Sequence, residues 1–293
     1  LDSPEIIRST TRFVFKSENS STPDSIVVQN PFSKKKYSLK KKKINSVLPN
    51  KFNLPLVFNH ENVENFKTIS GTIKVEKDLI INEKIKINPG TKFILSENSS
   101  IIFKNKVDAN GSISDPIIFE KSKNSNIPWG TIALLGQKTS GSKFNNILFN
   151  GGSGDEIEQV LYSGVFSLHN TSKIDLKNIT MKNNSIYDDM LHLVYCDDIN
   201  INNLLIENSY ADAIDIDISK NIIIKNSNFI NPGNDSIDLM ESSVLIESTK
   251  IINSGDKGIS IGENSNALIN NSYISNNFIG ILFPPTYLSI SIQ

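Results

Sequence analysis

Two series of chemically active residues advance through the middle of the chain at nearly constant intervals. Asp189, Asp212, Asp235 and Lys257 are 22 or 23 residues apart, and so are His192, Asp215 and Asp238. Asp217 follows Asp215 by two positions. Carboxylates gathered beside an imidazole and an ammonium can do two kinds of chemistry. One of a close pair can keep its proton while the other stays ionised, the division of labour that glycosidic cleavage needs. Alternatively, several oxygens can surround a cation.

Constant spacing matters only if something stacks the residues. The segments beginning at Val165, Leu191, Ile214, Ile237 and Ile259 align without gaps in their apolar positions. Their period is 22 to 25 residues, marked by Asn183, Asn208, Asn231, Asn253 and Asn276. A parallel column holds Asn178, Asn203, Asn226, Ser248 and Asn271. Each segment contains three short strands of alternating character, separated by polar corners. Alternation with period two buries one face of a strand. A single turn of this kind cannot bury that face alone, but turns stacked at about 4.8 Å share a continuous core. The expected fold is all-β: a right-handed parallel β-helix, a single-stranded solenoid of about nine turns, with a small β-rich module before it. Asparagines at equivalent corners are expected to bond to one another in ladders.

In this register the first strand of each turn points Leu191 and Leu193, Ile214 and Ile216, Ile237 and Leu239, Ile259 and Ile261, and Ile281 and Phe283 inward. The outward position between them is Ser167, His192, Asp215, Asp238 and Ser260 on successive turns. The corner before it carries Asp189, Asp212, Asp235 and Lys257. Asp217 faces outward with Asp215, and Glu241 and Glu263 follow at strand ends. Stacking puts Asp215 and Asp238 about 5 Å apart.

Three readings are open. In the first, the cluster is a glycosidase site with catalytic candidates Asp215, Asp238, His192, Asp212, Asp235 and Lys257; Asp189 and Asp217 contact the sugar, and Tyr187 and Tyr195 stack on it. In the second, Asp215, Asp217 and Asp238 bind Ca²⁺, the one cofactor the pattern suggests. In the third, the column is a solvated stripe, with Asp235 and Lys257 a surface ion pair of little energetic weight. His60 and His169 stand alone and read as turn or surface residues.

Composition narrows the partners. The net charge is −1, yet residues 31–44 carry seven lysines, leaving the remainder at about −8. No basic face remains for nucleic acid, and the lysine run reads as a solvated linker. The single cysteine, Cys196, excludes a disulfide framework and a cysteine metal cluster. No apolar run is long enough for a transmembrane helix. The chain opens on Leu1 without an apolar leader, as expected of a processed chain or a piece of a longer one.

The run from Tyr187 to Ser265 (YDDMLHLVY, ADAIDIDIS, NDSIDLMESSV, GDKGISIGENS) resembles right-handed β-helix repeats of the carbohydrate-binding and sugar-hydrolase type. It is similar to the β-helix regions found beside CotH-like segments of bacterial surface proteins. The resemblance covers about residues 70–283 and implies a secreted or cell-envelope protein whose partner is polysaccharide. Asp188-Asp189 matches the D-D signature of polygalacturonase-like glycosidases, but N-T-D, G-H-G and R-I-K are missing. The pectate-lyase type depends on arginine, and the only arginines here are Arg8 and Arg12. A non-catalytic surface scaffold or adhesin is the alternative to an enzyme.

The expected division is a β-rich module with its lysine-rich linker over residues 1–66 and the β-helix over residues 67–293. Within the latter, residues 151–158 read as a loop projecting sideways, and residues 284–293 as a cap or a cut end.

Overall fold

The computed structural model describes residues 26–29, 36–39, 65–123, 125–283 and 290–292. His60, most of the lysine run and most of the expected β-rich module lie outside them. Two units are distinguished. In the smaller, Ile26–Gln29 pairs antiparallel with Lys36–Leu39.

The larger unit is a parallel β-helix. Nine strands, one per turn, form its first sheet: Leu79–Ile81, Ile101–Phe103, Ile132–Leu135, Gly164–His169, Asp189–Val194, Ile214–Asp217, Ile237–Met240, Lys257–Ile261 and Ile279–Leu282. The other strands of each turn join a sixteen-stranded sheet. At its end Ile290–Ile292 pairs in parallel with Asn266–Asn270.

The inward positions are filled as period-two alternation requires. Leu191, Ile214, Ile237 and Ile259 stack in register, as do Leu193, Ile216, Leu239 and Ile261, all at most 1 % exposed. Ile281 and Phe283 are only half-buried, packing against the core from the last described turn. Lower in the solenoid, aromatic rings of the sixteen-stranded sheet stack in register and meet the first sheet at Phe166. Phe93 stacks on Phe119 at 4.6 Å, Phe119 on Phe149 at 5.0 Å and Phe149 on Phe166 at 5.1 Å. The first two spacings follow from the strand separation, which brings equivalent rings into stacking range, while the third joins the two sheets across the core.

The corners explain the asparagines. Asn178, Asn203, Asn226, Ser248 and Asn271 all have φ between 46° and 60°, and the column from Asn183 to Asn276 is left-handed too. Asparagine tolerates that conformation better than most residues. The ladders form: Asn203 Nδ2 donates to Asn178 Oδ1 at 2.8 Å, and Asn253 Nδ2 to Asn231 Oδ1 at 2.9 Å. Cys196 belongs to another column. Its N–H donates to Ser219 Oγ, Ser219 N–H to Ser242 Oγ, and Ser242 N–H to Ser265 Oγ. Burial pushes its thiol up to about 12, so Cys196 fills space and does no thiolate chemistry.

The segment expected to project sideways lies against the solenoid instead. Asp155–Ile157 and Val160–Tyr162 form an antiparallel hairpin. Its Tyr162 packs on the outward side of the first sheet, against Ile102 and Ala133, with Ile157, Val160 and Leu135 around them. The outward residues there are apolar, so the face gains from being covered.

Candidate functional site

The outward column of the first sheet changes character along the solenoid. Ile102, Ala133, Ser167, His192, Asp215, Asp238 and Ser260 are paired strand to strand. Ile102 and Ala133 lie beneath the hairpin; from His192 onward the position is ionisable and then polar. Two further columns flank it. Leu135, His169, Val194, Asp217 and Met240 follow one another on the C-terminal side. At the N-terminal corner the backbones of Asp189, Asp212, Asp235 and Lys257 succeed one another, residue-to-residue hydrogen bonds linking each turn to the next.

Asp189 is 2 % exposed, Asp212 7 % and His192 9 %; Asp215, Asp217 and Asp238 are half-buried. Ser163 Oγ donates to Asp189 Oδ2 at 2.5 Å. Asp212 Oδ1 accepts from Asn234 Nδ2 and from the Asp235 N–H, both at 2.8 Å. Ligand atoms of Asp189, His192 and Asp215 all lie within 4.8 Å of one another. This trio differs from Asp215, Asp217 and Asp238, the set expected around a cation.

Room for His192 comes from the turn below. Gly164 lies opposite Asp189, and a methyl group there would stand 2.9 Å from the His192 nitrogen and 3.1 Å from its Cβ. His169, expected to be an isolated surface or turn residue, is buried. Its Nε2 is 3.3 Å from His192 Nδ1, and its ring stacks on Tyr162 at 4.8 Å. The signal was available, because extending the Asp217 column two turns down reaches His169. The hairpin that buries it has no place in the repeat and could not be registered.

Asp235 and Lys257 also depart from expectation. Asp235 is 2 % exposed, so the pair is no surface contact. Lys257 Nζ reaches Asp235 Oδ2 at 3.2 Å and Asp256 Oδ2 at 2.5 Å. Burial pulls its ammonium down, but the hydrogen bonds it donates to Asp256 and Asp235 outweigh that and hold it above its ordinary value. Burial in turn holds Asp235 above the usual carboxylate range despite Lys257.

The remaining carboxylates crowd one another. Burial, then the charges of Asp189, Asp217, Asp238 and Asp212, pushes Asp215 up to about 9. Burial, with Asp189 and Asp235, pushes Asp212 up to about 7, against the hydrogen bond from the Asp235 N–H. Asp189 rises to about 6, again by burial, opposed by the Ser163 hydroxyl. Burial and then His192 pull His169 down to about 3, so it stays neutral. At neutral pH the face therefore contains a protonated carboxyl, Asp215, among carboxylates able to ionise.

Exposed side chains border the face. Tyr195, 59 % exposed, follows the His192 strand; Tyr210, 61 % exposed, precedes the Asp215 strand. Tyr210 was not singled out from sequence. Tyr187 is half-buried, its N–H donating to Ser153 Oγ at 3.0 Å. The corner after these strands is left-handed at Tyr195, Ile218 and Glu241, residue types that strain there. Elsewhere, a cavity of about 340 Å³ opens on the sixteen-stranded sheet among Lys143, Asn145, Asp175, Lys177, Asn200 and Asn202.

No helix among the described residues is long and apolar enough to cross a membrane. No curated protein matches the chain. Among the solved structures similar to the chain are the following three. The A-module of a mannuronan C-5 epimerase from Azotobacter vinelandii is 10 % identical, with 78 % of this chain and 86 % of that one covered and a TM-score of 0.45. An alginate lyase from Paenibacillus sp. str. FPU-7 is 12 % identical, with 73 % and 99 % covered and a TM-score of 0.23. The catalytic domain of an alpha-1,3-glucanase in complex with nigerose is 13 % identical, with 76 % and 63 % covered and a TM-score of 0.24. Residues 163–285 match the family described as "Right handed beta helix region". Together with nine stacked parallel turns, that match makes the larger unit a right-handed parallel β-helix.

Proposed function

We propose that this β-helix binds polysaccharide across the open half of its first sheet and hydrolyses it there. One observation carries the reading: Asp215 and Asp238 are adjacent in register on a sheet face that no hairpin covers among the described residues, beside His192 and between the corners that hold Tyr195 and Tyr210. Glycosidic cleavage needs a proton donor and a second carboxylate flanking the scissile bond. Asp215 holds its proton near neutrality, which suits the donor. Asp238 is the partner carboxylate. Neighbouring strands separate equivalent residues by about 4.8 Å, close to the carboxylate spacing of retaining enzymes. Tyr195 and Tyr210 supply apolar ring faces with polar tips, suited to sugar. Asp212 and Asp189 keep the field around Asp215 negative and so help retain its proton. Lys257 compensates Asp235 at the far corner. The polymer is placed outside the cell or in its envelope, in line with the surface-protein resemblance.

The test is a reducing-sugar screen over neutral and acidic glycans. The chain is expected to release sugar from at least one of them. The double substitution Asp215→Asn with Asp238→Asn should abolish release while circular dichroism and melting stay native-like. Failure of the unsubstituted chain to release sugar from any glycan would sink hydrolysis. Glycan binding without release would leave the non-catalytic scaffold.

A further inference from the structure

We propose that the cavity on the sixteen-stranded sheet is a second glycan site, one that takes the carboxylate-bearing units of an acidic polysaccharide. It lies on the strands Lys143–Asn150, Ser172–Lys182 and Asp197–Glu207, not on the first sheet, and does not rest on the hydrolysis proposed there. Its volume, about 340 Å³, falls in the range of small-molecule sites, about 300–1,000 Å³. Alternation builds its floor. Phe144, Leu176 and Ile201 point into the core and are at most 1 % exposed. The residues beside them, Lys143 and Asn145, Asp175 and Lys177, and Asn200 and Asn202, therefore face outward on three successive turns.

Two features make this floor a donor site. First, its lysines lack partners. Elsewhere on the sheet lysines are paired: Lys92 Nζ reaches Glu120 Oε1 at 2.7 Å, and Lys225 Nζ reaches Glu247 Oε2 at 2.6 Å. Lys177 stands in register between Asn145 and Asn202 and forms no ion pair among the described residues. Lys143 stands in register between Asp108 and Asp175, yet pairs with neither. Asp175 Oδ1 accepts from Asn200 Nδ2 at 3.4 Å, and Asp108 Oδ1 from Asn110 Nδ2. Second, the ladder orients the amides. Asn145 Oδ1 accepts from Asn178 Nδ2 at 3.3 Å, and Asn202 Oδ1 from Asn226 Nδ2 at 3.0 Å. With their oxygens held, both amides keep an Nδ2 that has no acceptor among the described residues. Two lysines less one aspartate leave the lining with one positive charge. That balance suits one carboxylate, and charge-assisted hydrogen bonds to it are the strong kind. Asp175 can accept from sugar hydroxyls. The one aromatic ring of the lining, Phe144, is buried, so a neutral sugar has none to stack on. A nucleic acid would ask for a longer run of cations.

The test is calorimetric titration of the chain with tetramers of galacturonate, glucuronate and mannuronate, with their carboxyl-reduced counterparts, and with sodium acetate. The expected result is saturable binding of at least one tetra-uronate, weakened by salt, with the reduced form roughly 10-fold weaker. Lys143→Gln and Lys177→Gln should each weaken binding by about 10-fold, the worth of one charge-assisted hydrogen bond. Both side chains are exposed, so melting should not move; Lys250→Gln, exposed on a different strand, should change neither binding nor melting. The titration is repeated in the Asp215→Asn, Asp238→Asn chain, where no sugar is consumed. Crystals of the unsubstituted chain soaked in the bound tetra-uronate should show sugar density between Lys143 and Lys177. No binding of any tetra-uronate, equal binding of the reduced forms, or acetate bound as tightly as the tetramer would overturn the proposal. So would binding indifferent to both lysines, or binding lost with Asp215 and Asp238, which would belong to the first sheet. Cleavage without this binding leaves the hydrolysis reading standing alone; this binding without cleavage leaves only the second site.

Discussion

The first sheet has two halves that share one backbone register and differ in what they turn outward. Below, Ile102 and Ala133 face out and are buried by Tyr162 of the hairpin. Above, His192, Asp215 and Asp238 occupy the same column, and among the described residues no such hairpin covers them. Strand pairing and inward packing are equivalent in both. The outward residue therefore decides whether a sheet face becomes a second small core or a chemical surface. His169 marks the boundary, stacked on Tyr162 on one side and meeting His192 on the other.

The harshest way to break this contrast is to move the chemistry of the upper half into the lower. Ala133→Asp places a carboxylate beneath Tyr162 at a position with no exposure. It should cost about 3–5 kcal/mol, the penalty of an uncompensated buried charge. Urea unfolding measures this; a loss under about 1 kcal/mol would mean that the hairpin is only loosely seated.

A smaller effect tests the crowding of the upper half. The folded-state pKa of Asp212, about 7, lies above its ordinary value of 3.8. Between those values the folded chain holds the proton that the unfolded chain has released. The contribution of Asp212 to stability is therefore greatest below about pH 4, declines as pH rises to about 7, and is constant above. Asp212→Asn should stabilise the chain at pH 8, by about 2 kcal/mol, and by progressively less toward pH 5. The same difference in melting at both pH values would show that Asp212 is not perturbed.

The smallest effect concerns the corners. Asn178 and Asn203 adopt the left-handed conformation at ladder positions, whereas Ile218 adopts it at the edge of the carboxylate face with φ 46°. A β-branched residue there is strained. Ile218→Asn should gain about 1 kcal/mol, read from the denaturation midpoint. A destabilised variant would mean that packing of Ile218 outweighs the strain.

Legibility followed periodicity. The pairing of His192 with Asp215 and of Asp215 with Asp238 could be read because each strand contributes one outward position per turn, and counting 23 residues finds the next. The asparagine ladders were legible for the same reason. The hairpin at residues 155–162 was not, because an insertion interrupts the count and gives no register. Burial of the Asp235–Lys257 pair was equally hidden, since a corner residue points in or out according to loop path, which a two-residue alternation does not specify. Tyr210 went unnoticed because it lies in a loop.

The sequence by itself determined the solenoid, its period and the vertical order of the acidic column, since a repeat that cannot bury its apolar face alone must stack in register. Only the tertiary structure decided which part of that column is covered, which carboxylates lose water, and that Asp189 and His192 converge with Asp215. Those outcomes depend on how loops and an unrepeated hairpin lie against the sheet, and the energies that place them come from contacts between residues far apart in the chain.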